Sequence, residues 1–308
     1  MSPVYLTNMK EKSLTGYAWL SIGAALTTIV LKSSAYFLTG SIGLLSDALE
    51  SVVNLLAAMV ALYILKLAEK PPDEEHLYGH SKAEYFSSIV EGILIIIAAL
   101  SIGITAVERI IHPRMIEQAF FGLTISTIAS LINFIVATIL LKAGKKSRSI
   151  TLEADGHHLM TDVWTSAAVL VGIALVAVTG LQVLDPVIAI LVALNIAITG
   201  IKIMKRSALG LMDSAMQNSD LLIIKNILEK YCKNGISYHA LRTRQSATRR
   251  FMSVHILVPG KWTVKKGHDL LEEIEAEIRG VTPKLTIFTH IEPAEDPRAK
   301  ADISIDRS

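Results

Sequence analysis

The sequence predicts an α-helical membrane protein of six transmembrane helices with a small C-terminal α+β domain, on three observations. First, the 308 residues are 51% hydrophobic and 19% charged, with a mean hydropathy of +0.47, more apolar than a soluble domain of average composition. Second, six apolar runs each approach the roughly 20 residues that a helix needs to cross a bilayer. Third, beyond Met204 the apolar runs give way to amphipathic, densely charged segments.

The six spans run from Leu14 to Leu38, Ile42 to Ala68, Tyr85 to Val107, Ala119 to Leu141, Leu159 to Thr179 and Val183 to Met204. The uncharged links Thr39-Gly40-Ser41 and Gly180-Leu181-Gln182 predict tight turns between antiparallel neighbours on one side of the membrane. An even number of spans puts both termini on one side. Lys10, Lys12, Lys66, Lys70, Lys82, the cluster Lys142, Lys145, Lys146 and Arg148, and Lys202, Lys205 and Arg206 all fall there, against Arg109 and Arg114 opposite. The excess of positive charge on cytoplasmic loops therefore predicts that both termini are cytoplasmic. The polar stretch Met1 to Lys12 and the length of the first apolar run predict no cleaved targeting segment.

After the spans, Ser219 to Lys233 has the apolar pattern of an amphipathic helix. Alternating stretches from Ser237 to Gln245 and Phe251 to Val258 predict two strands, followed by a helix from Val264 to Arg279 and a strand from Lys284 to Ile291. Helix, strand, strand, helix, strand reads as a sheet with helices on one face. The domains expected are 1–207 in the membrane, 208–293 in the cytoplasm, and a disordered tail over 294–308.

Several classes of chemistry are excluded. The net charge of +2 implies no nucleic-acid partner, and Cys232 is the single cysteine. No intrachain disulfide or thiolate metal cluster can form, so any metal must be held by histidine and carboxylate. A metallohydrolase would need a His-Glu-x-x-His motif, which the sequence lacks, and no enzymatic activity is expected.

Ionisable residues inside the apolar runs point to function. Thr151 to Gly180 opens with Asp155, His157, His158 and Asp162 and then becomes apolar. His158 and Asp162 are i and i+4, so on a helix they share one face about one turn apart. In the second span Asp47, Glu50 and Asn54 recur at i, i+3 and i+7. A carboxylate facing hydrocarbon costs several kcal/mol or more, so such acids turn inward to a partner or a pathway; two such faces suggest a shared cation. The loop after the second span brings Asp73, His76 and His80 at i, i+3 and i+7. In the soluble domain His239 and His255 lie on neighbouring strands, His268 opens the second helix, and His290 and Glu292 are i and i+2 on the last strand, pointing to one face. Glu84 and Glu108 are expected at the membrane interface, Glu91 has no assigned role, Tyr17 and Trp19 fit aromatic anchoring, and Met160 and Trp164 read as packing.

Three motifs carry a resemblance to a known family. Gly40-Ser41-Ile42-Gly43-Leu44-Leu45-Ser46-Asp47-Ala48-Leu49-Glu50-Ser51, Tyr78-Gly79-His80-Ser81-Lys82-Ala83-Glu84, and the His158 and Asp162 pair before a long apolar run resemble the cation diffusion facilitators, proton-coupled exporters of zinc and related divalent metals. The similarity runs from the first span to about Glu292. It implies a homodimer in the lipid bilayer of an inner or plasma membrane, with a ferredoxin-like cytoplasmic domain and protons as counter-substrate. It places the transport ligands on Glu50, Asn54, His158 and Asp162. The family's second-span positions are usually His or Asp followed by Asp, so Glu50 and Asn54 depart from the pattern and the site loses one negative charge; Asp47, one turn before Glu50, is the expected compensation. The resemblance further implies a second, more exposed metal site at Asp73, His76 and His80. It also implies a binuclear cytoplasmic site at His239, His255, His268, His290 and Glu292, the last replacing the usual Asp, and an ion pair between Lys82 and Asp213 at the dimer contact. Divalent metal ions, zinc first, are expected both as cargo and as structural or regulatory ligands, with iron, manganese, cobalt or cadmium as other cargoes. The competing expectation is a membrane-anchored metal sensor whose soluble domain is the functional part.

Overall fold

The computed structural model of the chain describes residues 13–39, 42–112, 120–181 and 183–302. They divide into two units at 208/209. In the first, α1 (Thr15–Thr39), α2 (Ile42–Ala68), α3 (Ala83–Ile111), α4 (Phe120–Ser147), α5 (Ile150–Thr179) and α6 (Leu184–Leu211) follow in order. Among the described residues, five of these, α1 to α4 and α6, hold stretches long and apolar enough to cross a membrane; α5, at 30 residues, is as long and carries Asp155, His158 and Asp162 in its first half.

The helices outrun the apolar runs that announced them. α4 continues through Lys142 to Ser147 and α5 begins at Ile150 rather than Leu159, so the expected linker is a turn of two residues. Lys145 and Lys146 occupy the last turn of α4, where positive charge favours the negative end of the helix dipole. The turn takes Arg148 at φ +59°, and the Ser149 amide donates to the Gly144 carbonyl at 3.0 Å. Helix needs only satisfied backbone groups, which is why it extends past the hydrophobic stretch into polar sequence.

α5 occupies the middle of the unit. Its Leu152 and Leu159 join one core with Ile22, Leu62, Val136 and Leu140 from α1, α2 and α4, while its Ala154 joins another with Ile95, Ala99, Ile196 and Ile203 from α3 and α6. Apolar side chains such as Val30, Tyr63, Ile97, Ile104, Leu131 and Leu191 are exposed, as expected of surfaces solvated by lipid. With lipid as the solvent, burial of apolar area no longer drives helix association, and close backbone packing takes over. α3 and α6 meet in this way: a Cβ on Gly200 would stand 3.1 Å from the Gly92 carbonyl oxygen, and one on Gly92 3.3 Å from that of Gly200. Glu84, in the first turn of α3, is buried. Its carboxylate accepts from the hydroxyl of Ser149 and, at 3.4 Å, from the amide of Thr151, tying the foot of α3 to the start of α5. Trp164, expected in packing, is about half exposed.

The second unit comprises α7 (Asn218–Tyr231), β1 (Ser237–Ser246), β2 (Arg249–Val258), α8 (Val264–Val281) and β3 (Leu285–Pro293). The sheet order is β1-β2-β3; β1 and β2 are an antiparallel hairpin and β2 and β3 are parallel, joined by α8. Met252, Val254, Ile256 and Val258 of β2 and Leu285 and Ile287 of β3 face a core closed by Ile224 and Leu228 of α7 and Leu271, Ile274 and Ile278 of α8. The alternate residues of both strands therefore point to the other face. Thr263 caps α8, accepting from the Lys266 amide at 3.2 Å. Part of the expected tail is ordered: Pro297–Asp302 is a 3-10 turn with Ala299 buried, and residues from 303 lie outside the described set.

Candidate metal centres

Within the membrane unit, buried polar groups from α2, α4 and α5 converge. Asn54, Asn133, His158 and Asp162 are each at most 6% exposed. The Asn54 amide nitrogen donates to Asp162 Oδ2 at 2.6 Å, and the Asn133 amide nitrogen donates to the same oxygen at 2.9 Å. Both amide oxygens and both ring nitrogens of His158 are buried with no hydrogen-bond partner. A neutral imidazole carries one N–H donor and one acceptor, and leaving such groups unpaired in a core costs about 1–3 kcal/mol each. Three side chains around the Asp162 carboxylate thus carry four buried, unpartnered oxygen and nitrogen atoms, a donor set able to hold a cation.

Asn133 was not legible as a site residue. It stands in an apolar run with no ionisable neighbour, and only its polarity there could have flagged it. Glu50, placed among the expected ligands, is on α2 one turn before Asn54 and is exposed. Asp47 lies on α2, with its side chain outside the described residues. Two further acids, Glu91 and Asp155, are buried nearer the starts of α3 and α5.

The loop between α2 and α3 folds around Asp73. Its Oδ1 accepts from the His76 backbone amide at 2.7 Å and lies 3.2 Å from His76 Nδ1, and its Oδ2 lies 3.2 Å from His80 Nε2. Gly79, at φ +81°, turns the chain so that the two rings lie against each other, tilted by 42° with centroids 4.5 Å apart. One donor atom from each of Asp73, His76 and His80 lies within 4.8 Å of the others. Burial alone would raise the Asp73 pKa, but the His76 amide and ring and the charge of His80 outweigh it and hold the carboxyl below its ordinary 3.8.

In the second unit the sheet register does the assembling. His239 pairs with His255 across the hairpin and His255 with His290 across the parallel pair, so three imidazoles stand in one row on the face away from the core, with centroids 5.1 and 5.0 Å apart. Glu292, two residues on from His290, is buried beneath them. Its Oε2 is 2.8 Å from His239 Nε2, and its Oε1 is 3.3 Å from His255 Nδ1 and 3.5 Å from His290 Nε2. Ligands about 2.0–2.1 Å from a tetrahedral zinc stand roughly 3.3 Å apart, and one donor atom from each of His239, His255 and Glu292 lies within 4.8 Å of the others, so these three could close on one ion, with His290 beside Oε1. His268 is the exception to the expected set of five. It is exposed on α8, the helix that covers the opposite face of the sheet with Leu271, Ile274 and Ile278 turned inward, and within one chain it stands apart from the cluster.

Lys82 stands at the N-cap of α3. Asp213, in the second unit, pairs with Arg244 at 3.2 Å.

Comparison with known proteins identifies the family of both units. Residues 18–212 match the family model described as the cation efflux transmembrane domain, and residues 216–294 match that of the cation efflux protein, cytoplasmic domain. The uncharacterized transporter sll1263 of Synechocystis sp. (strain ATCC 27184 / PCC 6803 / Kazusa) is 50% identical over 283 residues, 92% of this chain and 91% of that protein. The cation-efflux pump FieF of Serratia proteamaculans (strain 568) is 26% identical over 294 residues, 95% of each. The solved metal-bound C-terminal domain of the CzcD transporter from Thermotoga maritima is 26% identical, covering 27% of this chain and 99% of that one, with a TM-score of 0.24.

Proposed function

We propose a specific cycle for this chain, which belongs to the cation efflux family and is a multi-pass membrane transporter of divalent metal cations: zinc leaves the cytoplasm in exchange for protons, at a cage formed by Asn54, Asn133, His158 and Asp162. The observation that carries the reading is Asp162, held by two buried amides beside an imidazole with both nitrogens unpaired. When a dication enters, both amides rotate to offer their oxygens, His158 offers a ring nitrogen and Asp162 a carboxylate oxygen. Asp162 alone leaves the filled cage one charge positive; Glu50, exposed in this structure one turn before Asn54 on α2, supplies the second carboxylate only by turning inward when metal is bound, with Asp47 a turn beyond.

One nitrogen and several oxygens suit tetrahedral zinc, while the neutral amide oxygens extend tolerance to iron(II), manganese, cobalt or cadmium. Metal ligands must be deprotonated, so protons compete with the metal for His158 and the carboxylates. His158 is suited to that exchange near neutral pH. The spans rock between inward-open and outward-open forms around the fixed site, with both termini cytoplasmic in an inner or plasma membrane.

Outside the membrane, Asp73, His76 and His80 form an exposed metal relay. His239, His255, His290 and Glu292 bind metal that stabilises the cytoplasmic unit and biases the transporter's conformation. His268 and the Lys82 and Asp213 pair are assigned to the contact between two subunits of a homodimer. Read instead as a sensor, the chain would leave the buried Asn54, Asp162 and Asn133 network without purpose.

Two experiments test the cycle. In a metal-sensitive host challenged with zinc, iron, manganese, cobalt and cadmium, the wild-type chain should confer resistance and Asp162→Ala should lose it while cytoplasmic-domain binding persists; resistance retained by Asp162→Ala would overturn the cage. In inside-out vesicles, metal uptake should follow an imposed pH gradient, and uptake indifferent to it would remove proton exchange.

A further inference from the structure

Glu91 of α3 and Asp155 of α5 take no part in the cage, yet each is only 1% exposed. Glu91 Oε1 accepts from the Ser87 hydroxyl at 3.3 Å and Asp155 Oδ1 from the Ser21 hydroxyl of α1 at 3.1 Å. Glu91 Oε2 and Asp155 Oδ2 are buried with no hydrogen-bond partner. The hydrogen bonds from Ser149 and Thr151 to Glu84 set the starts of α3 and α5 side by side, and Glu91 and Asp155 lie seven residues beyond Glu84 and four beyond Thr151 on these neighbouring helices.

The surroundings offer little to neutralise them. Ser21 and Ser87 are uncharged, α6 meets α3 beside Glu91 through Gly200 and Met204, and the guanidinium of Arg206 on α6 is paired with Glu153. Lys32 lies eleven residues beyond Ser21, about 16 Å along α1, and Glu84 seven residues before Glu91, about 10 Å along α3. His158 lies one turn beyond Asp155 on α5, and Asp162 about 10 Å beyond. Two carboxylates buried on neighbouring helices cannot both stay ionised cheaply, because each loses its hydration and the low dielectric lets like charges repel over a longer range. One proton on the pair removes a charge and supplies an O–H to an oxygen that has no donor.

We propose that Glu91 and Asp155 form a proton-binding site of the transporter, distinct from the metal ligands, that carries a proton at neutral pH in the metal-free protein. Its place, between the cage and the ends of α3 and α5 where these helices begin, makes it a station for protons leaving towards the cytoplasmic side. Only this second statement rests on the exchange reading above.

Infrared spectroscopy of the full chain in lipid, metal-free at neutral pH, tests the site directly. A carbonyl stretch of a protonated carboxyl, shifted downward in D2O, should be present in the wild type and in Asp162→Asn and lost in the double variant Glu91→Gln/Asp155→Asn. The amides replace the acids at nearly equal size and keep an acceptor for Ser87 and Ser21, and far-ultraviolet circular dichroism verifies that the variants fold. A wild type without the band, or a double variant that keeps it, overturns the proposal. In proteoliposomes loaded with a pH indicator, the double variant should hold its cobalt affinity within about threefold while proton flux per metal falls. Unchanged proton and metal flux would refute the station role. A wild type that moves metal with no proton flux would sink the exchange reading, and the infrared result would still decide whether the carboxyl pair holds a proton.

Discussion

Replacing Asn133 by leucine isolates what the α4 helix adds to the cage. Leucine has almost the same length and no polar atom, so packing against the neighbouring apolar positions is preserved. The variant loses the 2.9 Å bond to Asp162 Oδ2 and an amide oxygen that would bind the ion. The missing oxygen ligand weakens the bound state, whereas the lost hydrogen bond, about 1.5–3 kcal/mol for a charged acceptor, weakens the metal-free state and offsets only part of that loss. Because Asn54 still holds Asp162 at 2.6 Å, the cage persists, and affinity should fall by about 10–100-fold. Asn133→Asp should act in the opposite direction, adding a charge that favours a dication and steepening the dependence of binding on pH. The assay is a cobalt titration of the full chain in lipid nanodiscs, read by visible absorption, in a background where His76, His80, His239 and His255 are alanine so that only the intramembrane site reports. If the leucine variant binds cobalt within about twofold of its parent while Asp162→Ala does not bind, Asn133 is scaffold and the cage is wrongly drawn.

Three further outcomes are expected. Arg250 donates to Asp220 Oδ2 at 3.1 Å, with both side chains largely buried; Arg250→Met leaves that carboxylate uncompensated and should destabilise the cytoplasmic unit by about 3–5 kcal/mol, seen as faster hydrogen exchange throughout β2 and β3. Asp73 has its folded pKa held below 3.8, so its contribution to loop order is present above that value and lost as pH falls through the lowered one; exchange of the His76 amide should accelerate on acidification, and Asp73→Asn should abolish that response. At the helix crossing, Gly200→Leu places a side chain where even a Cβ would lie 3.1 Å from the Gly92 carbonyl oxygen, so α3 and α6 should part and the full chain should melt at lower temperature; an unchanged melting temperature would show that the crossing gives way readily.

Much of this molecule is written in its pattern. The apolar runs mark where the helices lie, and alternation in the cytoplasmic segment marks its strands, because both signals arise from short-range geometry: 3.6 residues per turn or two per pleat. His158 and Asp162 could be paired from the sequence for the same reason, being one turn apart on one helix. Asn133 could not, since its relation to Asp162 spans 29 positions and depends on how α4 packs against α5. Nor could the bonds of Glu84 to Ser149 and Thr151, or that of Asp155 to Ser21, each of which joins two helices. In the sheet, i and i+2 placed His290 with Glu292, but the alignment of His239, His255 and His290 in one row is a matter of register.

What the sequence by itself determined is the solvent of each segment and the chemical types available: oxygen and nitrogen donors, one cysteine, acids inside apolar helices. What only the tertiary structure decided is which of those donors meet. Lipid removes the hydrophobic penalty that would orient each helix in water, so rotation and neighbour choice are settled by close backbone contacts such as Gly92 with Gly200 and by satisfying buried polar groups. Those contacts join residues far apart in the chain, and they turned Asn133 towards Asp162 and left Glu50 on an exposed face.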